Sequence, residues 1–414
     1  VKPWRIEDIR KIINPDTAAG VPIGKSRFSN RWIGRKLFRD NLFRLDSNDY
    51  QLAVDPLFSF DIGKDQLTGK TTYQNSRGVQ VFGNVGKKVS FYTSFWENQG
   101  SMVNYVDSFI QKNHVVPGQG RVKPFGSNGW DYSMATGYVS YSPSKYFNFQ
   151  FGNDKLFIGD GYRSLFLSDN AYNQPYFRIS TSFWKIRYTN LFVSYQNVGN
   201  ASNSGIGGYL QKFATYHHLS LNATKWLNIG LFESIIWQGG DTTGARRGFD
   251  VNYLNPIIFY RPVEFSRGSP DNVLIGLNFK AMILKKYQLY GQILLDEFSL
   301  KEVKAGNGWW ANKQAAQIGW KFYRFLGMKN LVWQNEFNLV RPYTYGHFTG
   351  EQSYTHFAQP LAHPLGANFI ENVQFLRYRY KRWGFQGKIL MSQYGADTSS
   401  ASGQTSNFGQ NIFA

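Results

Sequence analysis

Residues 147–184 read FNFQFGNDKLFIGDGYRSLFLSDNAYNQPYFRISTSFW. In the first six, Phe147, Phe149 and Phe151 share one face, while Asn148, Gln150 and Gly152 share the other. Near the end, Phe177, Ile179, Thr181 and Phe183 oppose Arg178, Ser180 and Ser182. A period of two predicts β-strands. Segments of about ten residues, apolar on one side and polar on the other, are how a membrane-spanning barrel strand reads. The connection between these two strands then lies at a barrel mouth. It carries Asp160, Tyr162, Arg163, Asp169 and Asn170 as candidate ligand-binding residues.

The rest of the chain agrees with that pattern. Of 414 residues, 18% are aromatic and 41 are Gly, and no apolar run is long enough for a transmembrane helix. Mean hydropathy is −0.41, because apolar and polar residues alternate. The absence of Cys fits an exported bacterial protein. The start at Val1 predicts a mature form whose signal has been removed. A net charge of +19 points to anionic lipid or an acidic polymer. Nucleic acid is not expected, since no zinc-finger, RNP or helix-turn-helix pattern appears.

Residues 1–50 stand apart as a short helical, periplasmic segment. KPWRIEDIRKII and SNRWIGRKLFRDNLFRLD carry helical spacing, and the second sets Trp32, Leu37, Phe38, Leu42 and Phe43 near one side. From residue 51 onward, strands are predicted near 51–60, 70–83 (bulged around 75–78), 88–97, 129–141, 146–154, 174–184, 186–196, 211–222, 226–237, 272–284, 287–297, 313–323, 330–341, 368–380 and 383–394. Their connections alternate. Short, mostly Lys-bearing turns lie at 85–87, 142–145, 184–185, 223–225, 285–286, 324–329 and 381–382. Long connections lie at 98–128, 155–173, 197–210, 238–271, 298–312 and 342–367. An up-and-down outer-membrane barrel has short periplasmic turns and long outer loops. The fold class is therefore all-β, a transmembrane antiparallel barrel to which these segments contribute 15 strands. An odd strand count leaves two edges unpaired, which places the last strands beyond residue 414.

Three segments carry a resemblance. IGDGYRSLFLSDNAYNQPYFRIS resembles the G-x-G…S-L…S-x-N-A-x-x-x-P segment of the Wzi-like capsule-assembly outer-membrane proteins. NPIIFYRPVEF is similar to their N-P…Y-R-P-x-E-F segment. EFNLVRP with the loop at 342–367 resembles their E-x-x-x-x-R…Y-x-H…P-L-G pattern, departing from it at Ala367 and Asn368. Within this family the resemblance is to the gliding-motility RemB branch of the Bacteroidota. The resemblance spans roughly residues 30–395. It implies about 18 strands, which raises the expected barrel to about 16–18, and a non-enzymatic outer-membrane role: binding or organising surface polysaccharide, or serving surface adhesion and gliding.

Candidate mouth residues extend through these segments to Arg261, Glu264, Arg341, His356 and His363. Asp160, Arg163, Asp169, Arg261 and Glu264 are expected to form one polar network where loops 155–173, 238–271 and 342–367 meet. Loop aromatics such as Tyr172, Trp309, Tyr343, Tyr345 and Tyr354 suit stacking on sugar rings. His347, His356 and His363 match no zinc spacing, and no metal or other cofactor is expected. His217 and His218 are neighbours on a strand, so their rings face opposite sides. No G-x-S-x-G is present, and no enzyme activity is expected. The competing readings are a diffusive channel for anionic solutes and a scaffold subunit of a secretion or motility complex. Large residues assigned to the polar faces, Tyr290, Leu376 and Tyr378, favour a plugged lumen. Expected partners are outer-membrane lipid and lipopolysaccharide, acidic polysaccharide, and other outer-membrane or periplasmic proteins.

Overall fold

The strands bury polar side chains and expose apolar ones, the reverse of a water-soluble sheet. The computed structural model describes residues 31–38, 40–198, 209–240, 248–259, 271–296, 304, 312–347, 350–380, 383–396, 398–399 and 405–413. No helix among them is long and apolar enough to cross a membrane. The chain divides into two compact units, Val1–Asp154 with Asn173–Ser182, and Lys155–Tyr172 with Phe183–Ala414.

In the first unit, helix α1 (Trp32–Phe38) precedes β1 (Phe43–Asp46), β2 (Tyr50–Lys64), β3 (Thr71–Val85) and β4 (Val89–Ser101). Helix α2 (Asn104–Asn113), β5 (Val122–Phe125), β6 (Gly129–Tyr141), β7 (Phe147–Asp154) and β8 (Gln174–Phe183) follow. Successive long strands pair antiparallel. Asn148, Gln150 and Ser180 are buried, whereas Phe147, Phe151 and Phe177 are exposed, as the quoted stretch requires of a lipid-facing wall.

Three local expectations are corrected here. The helical spacing ends at Phe38, because FRLD pairs with β2, Phe43 opposite Val54. No bulge interrupts β3, whose register on β2 is continuous from Tyr50–Val85 to Lys64–Thr71. The connection after β4 is not plain loop. In it Ile110 and Val116 pack on Tyr132, and Trp130 Nε1 donates to Asp107 over 2.6 Å.

The second unit begins with residues 155–172. Its strands are β9 (Ile186–Asn197), β10 (Leu210–Leu221), β11 (Leu227–Gln238), β12 (Asn272–Ile283), β13 (Tyr287–Leu295), β14 (Gln314–Tyr323) and β15 (Leu331–Val340). One short pair, β16 (Thr355–His356) with β17 (Gln359–Pro360), lies within the last long connection before β18 (Phe369–Tyr380) and β19 (Trp383–Tyr394). β9 to β19 form one antiparallel meander apart from that insertion. One face carries Asn278, Gln292, Gln317, Glu336 and Glu371, all buried. The other exposes Leu277, Ile293, Ile318, Phe337 and Ile370. Leu376 and Tyr378 also lie exposed on this apolar face, not on the polar one as expected. Their alternation in FLRYRY puts Phe375 and Arg377 on the polar side instead.

Candidate functional site

Residues 155–172 fold back on the polar face of the second unit as a plug. A bridge between Ile158 and Leu167 closes it, and Leu165, Phe166 and Leu167 are fully buried. Phe166 stacks on Phe232 with centroids 4.3 Å apart. It sits over Gly276, where a Cβ would collide with the ring, so that strand position must lack a side chain. Gln292 Oε1 accepts the Leu165 N–H at 2.7 Å.

The plug tip is held by two strand carboxylates. Glu336 is fully buried and accepts the backbone N–H of Tyr162 at 2.7 Å and of Arg163 at 3.0 Å. It also accepts from the Tyr290 hydroxyl at 2.8 Å and from Asn338 at 3.1 Å. Glu371 receives the Arg163 guanidinium through Nε at 3.3 Å and Nη2 at 3.2 Å. A buried carboxylate is tolerated only when its lone pairs are met in this way. His363 completes the set, its Nε2 lying 2.7 Å from Glu371. Its Nδ1 accepts the Leu365 N–H at 3.2 Å, so the proton resides on Nε2 and the ring donates to Glu371. Burial pushes the His363 pKa down, opposed by Glu371. Asp160 pairs with Lys280 at 2.5 Å, while its backbone carbonyl accepts from Lys321 at 2.8 Å.

The described residues 341–347 and 350–368 cover the plug from the long-loop end. The hydroxyls of Tyr345 and Tyr354 donate to the carbonyls of Leu165 and Phe166, at 2.8 and 2.6 Å. Burial raises both phenol pKa values well above the ordinary one. Asn170 donates to the Pro360 carbonyl, and the Ser168 N–H to that of Leu361. Lys212, only 1% exposed, ties the same loop to β10 through Ser353 O and Thr355 Oγ1. Beyond β19 the chain returns to this loop: Tyr343 N–H donates to Gly409 O, and Ile412 is buried.

The expected network is therefore rebuilt from other residues. Asp160, Tyr162, Arg163 and His363 do meet, but their partners are Glu336, Glu371, Lys280 and Lys321. Asp169 accepts from Ser168 Oγ and does not join them. His356 lies apart, accepting the Gln196 N–H at 3.0 Å beside the Tyr195 ring. Arg341 lines a separate cleft of about 420 Å³ with Pro342, Asn368 and Tyr394. Arg261, Glu264 and Trp309 lie outside the described residues. The described part of loop 238–271 does not join the plug either. Residues 248–259 pack on the apolar face, where Tyr253 meets Trp237 at 4.6 Å and Phe249 meets Phe192 at 6.3 Å. The side chains that hold them, Phe213, Trp237 and Thr215, alternate with Lys212, Ala214 and Tyr216 of the polar face. His217 and His218 point to opposite faces, to Glu233 and to Asn278.

Sequence reasoning missed the strand residues Glu336, Glu371, Lys212, Lys280 and Lys321. Their signal is a charge inside a strand, which must find a partner on the polar face.

A cleft of about 690 Å³ runs beside the plug, lined by Phe157, Tyr162, Arg163, Asp169, Lys321 and Arg377 among others. Arg163 pairs with Glu371, while the cleft's other cations meet neutral acceptors. Lys321 bonds the Asp160 carbonyl, and Arg377 the amides of Gln334 and Gln386. At its edge Lys388 donates to the Tyr162 hydroxyl at 2.8 Å and lies over that ring at 4.7 Å. Such a surface suits an anionic group beside a sugar-like face.

No family model matches the sequence, and no curated protein matches it at a significant level. Among solved structures, the chain is similar to Wzi of Escherichia coli, described as an outer-membrane protein involved in group 1 capsule assembly and a carbohydrate-binding β-barrel. The match has TM-score 0.51 and 14% identity, covering 84% of this chain and 71% of that one. Pseudomonas aeruginosa OccK9 matches at TM-score 0.37 and 9% identity, covering 84% and 94%. A Rh. blastica porin variant matches at TM-score 0.37 and 8% identity, covering 86% and 96%. At that level of superposition the last two add nothing further. The gliding-motility branch of the sequence resemblance has no counterpart in these matches. The likeness to Wzi shows the fold, and with polar side chains inside and apolar ones outside, the chain is an outer-membrane β-barrel that crosses the membrane many times.

Proposed function

We propose that this protein is a non-enzymatic barrel that binds acidic polysaccharide at the outer membrane. The carrying observation is the cleft beside the plug, where the hydrogen bonds of Lys321, Arg377 and Lys388 among the described residues go to neutral acceptors around Tyr162. A uronate carboxylate placed there gains charge-assisted hydrogen bonds, worth ~1.5–3 kcal/mol each. The reported carbohydrate binding of Wzi supports the same reading by analogy of fold. Calorimetric titration of the purified protein with oligogalacturonate and with neutral dextran tests it. Binding is expected for the acidic chain alone, weakened ~10-fold or more by Arg377→Gln, as loss of one such bond requires. Equal binding of both polymers, or none of either, defeats the proposal.

A second reading rests on the cleft's extent. It runs from Asp169 and Asn170, near the covering loop, to Tyr323 and Val332, near the short-turn ends of β14 and β15. That favours a narrow anion path beside the plug. Planar-bilayer recording separates the two, since a binding protein shows no steady anion-selective steps.

A further inference from the structure

The wall made by β9, β10 and β11 breaks the rule that outward positions are apolar. There Asn190, His217 and Glu233 stand in register on adjacent strands, with Thr215 two residues from His217 on the same face, each no more than 5% exposed. Facing acyl chains directly, a carboxylate at such a site is costly. Residues 248–259 cover it. The Phe259 N–H donates to Glu233 Oε2 at 2.9 Å, beside the His217 Nδ1 contact at 3.0 Å. Thr215 Oγ1 donates to the Tyr253 carbonyl at 3.2 Å, and the Tyr188 hydroxyl to that of Pro256. Glu233 lies five residues from the long-loop end of β11, on the order of 16 Å along the strand. The segment thus reaches down the wall to membrane depth.

Irregular backbone survives at that depth only when its polar groups are satisfied within the protein. Those of this segment are largely met. Tyr253 N–H bonds Asp250 O, and Asn255 N–H bonds Asn252 O. The N–H groups of Asn252 and Ile257 bond the side chains of Asp250 and Asn255. Its free side shows Val251, Leu254 and Ile257, exposed by 70%, 46% and 58%. They are apolar and exposed, as Leu277, Ile293 and Ile318 are on the outward face of β12, β13 and β14.

We propose that residues 248–259 form a lipid-facing strap, in which Val251, Leu254 and Ile257 meet outer-leaflet acyl chains in place of the strands' own side chains. Glu233, held by His217, is the clasp that fixes it.

The chain has no Cys, so single-cysteine variants take one nitroxide label each. Val251→Cys, Leu254→Cys and Ile257→Cys are labelled and reconstituted into phosphatidylethanolamine–phosphatidylglycerol vesicles. Collision with oxygen and with a water-soluble nickel chelate is then measured. Oxygen is expected to dominate at all three positions, as at Ile318→Cys on the bare wall, with the opposite ratio at Lys123→Cys on exposed β5. Nickel dominance at the three positions makes the segment an aqueous loop and overturns the proposal. Protection from both reagents means another protein or a second copy covers it, and overturns it equally. Adding Glu233→Leu to the Leu254→Cys background is expected to raise label mobility and nickel collision. Unchanged spectra in a folded Glu233→Leu variant remove the clasp. If that variant does not fold, the three collision ratios decide the strap on their own.

Discussion

Glu336 Oε2 lies 2.7 Å from the backbone nitrogen of Tyr162, joining a strand carboxylate to the plug tip 174 residues earlier in the chain. The donor is main chain, so no change at Tyr162 short of proline removes it. Replacing Glu336 does. Glu336→Ala leaves two backbone N–H groups and the Tyr290 hydroxyl without acceptors, at a cost of ~1–3 kcal/mol for each group left buried. The expected outcome is a released plug, seen as new conductance in planar bilayers and protease cleavage within 155–172. Gly161→Ala should act alike, since a Cβ there would collide with Glu336 Oε2 and crowd the Tyr290 ring. Silent bilayers and an uncut plug in both variants would falsify the anchoring role of Glu336.

Arg163 and Arg377 both line the cleft, yet they should separate in experiment. Arg163→Ala takes the Arg163 cation from the buried Glu371 carboxylate and leaves it the donors His363 and Asn338; breaking a buried pair costs ~3–5 kcal/mol. Among the described residues Arg377 hydrogen-bonds the amides of Gln334 and Gln386. Arg163→Ala is expected to lower the urea midpoint as well as glycan binding, and Arg377→Gln to lower binding alone. Identical unfolding midpoints for the two variants would contradict this division.

His363 gives the plug a pH dependence whose sign follows from its environment. Burial lowers its pKa below the ordinary 6.5, and its Nδ1 lone pair is already occupied by the Leu365 N–H. As pH falls through the unfolded value, the unfolded chain takes up a proton that the folded site resists, so stability is lost on acidification. It is fully present above that value. Loosening of 341–368 should therefore begin below about pH 6.5, measured by hydrogen exchange of that segment. His363→Gln should flatten the profile. An unchanged profile in the variant would remove His363 as its source.

The direction of the strands is open to labelling. Epitopes inserted at Gly118, in a long connection, and at Ser144, in a short turn, should differ in intact cells, with only the first accessible from outside. Equal surface labelling at both positions would reverse or abolish the assigned topology.

The wall was legible in the sequence because it depends on local alternation alone. FNFQFG and RISTSF fix which residues face outward whatever partners them, since a strand's side chains must alternate. The connection lengths likewise separate the two ends of the sheet. Asp160, Tyr162, Arg163 and His363 stood out as polar residues in loops that must be held somewhere. What held them was not legible. Glu336 and Glu371 are 173 and 208 residues from Arg163, and only the register of β14, β15 and β18 brings their carboxylates under one plug. The course of 248–259 was equally hidden. Its apolar residues demand burial, but that demand is met as well by one sheet face as by the other. Tertiary structure chose the apolar face, because Thr215 and Glu233 leave polar groups there that the covering backbone satisfies.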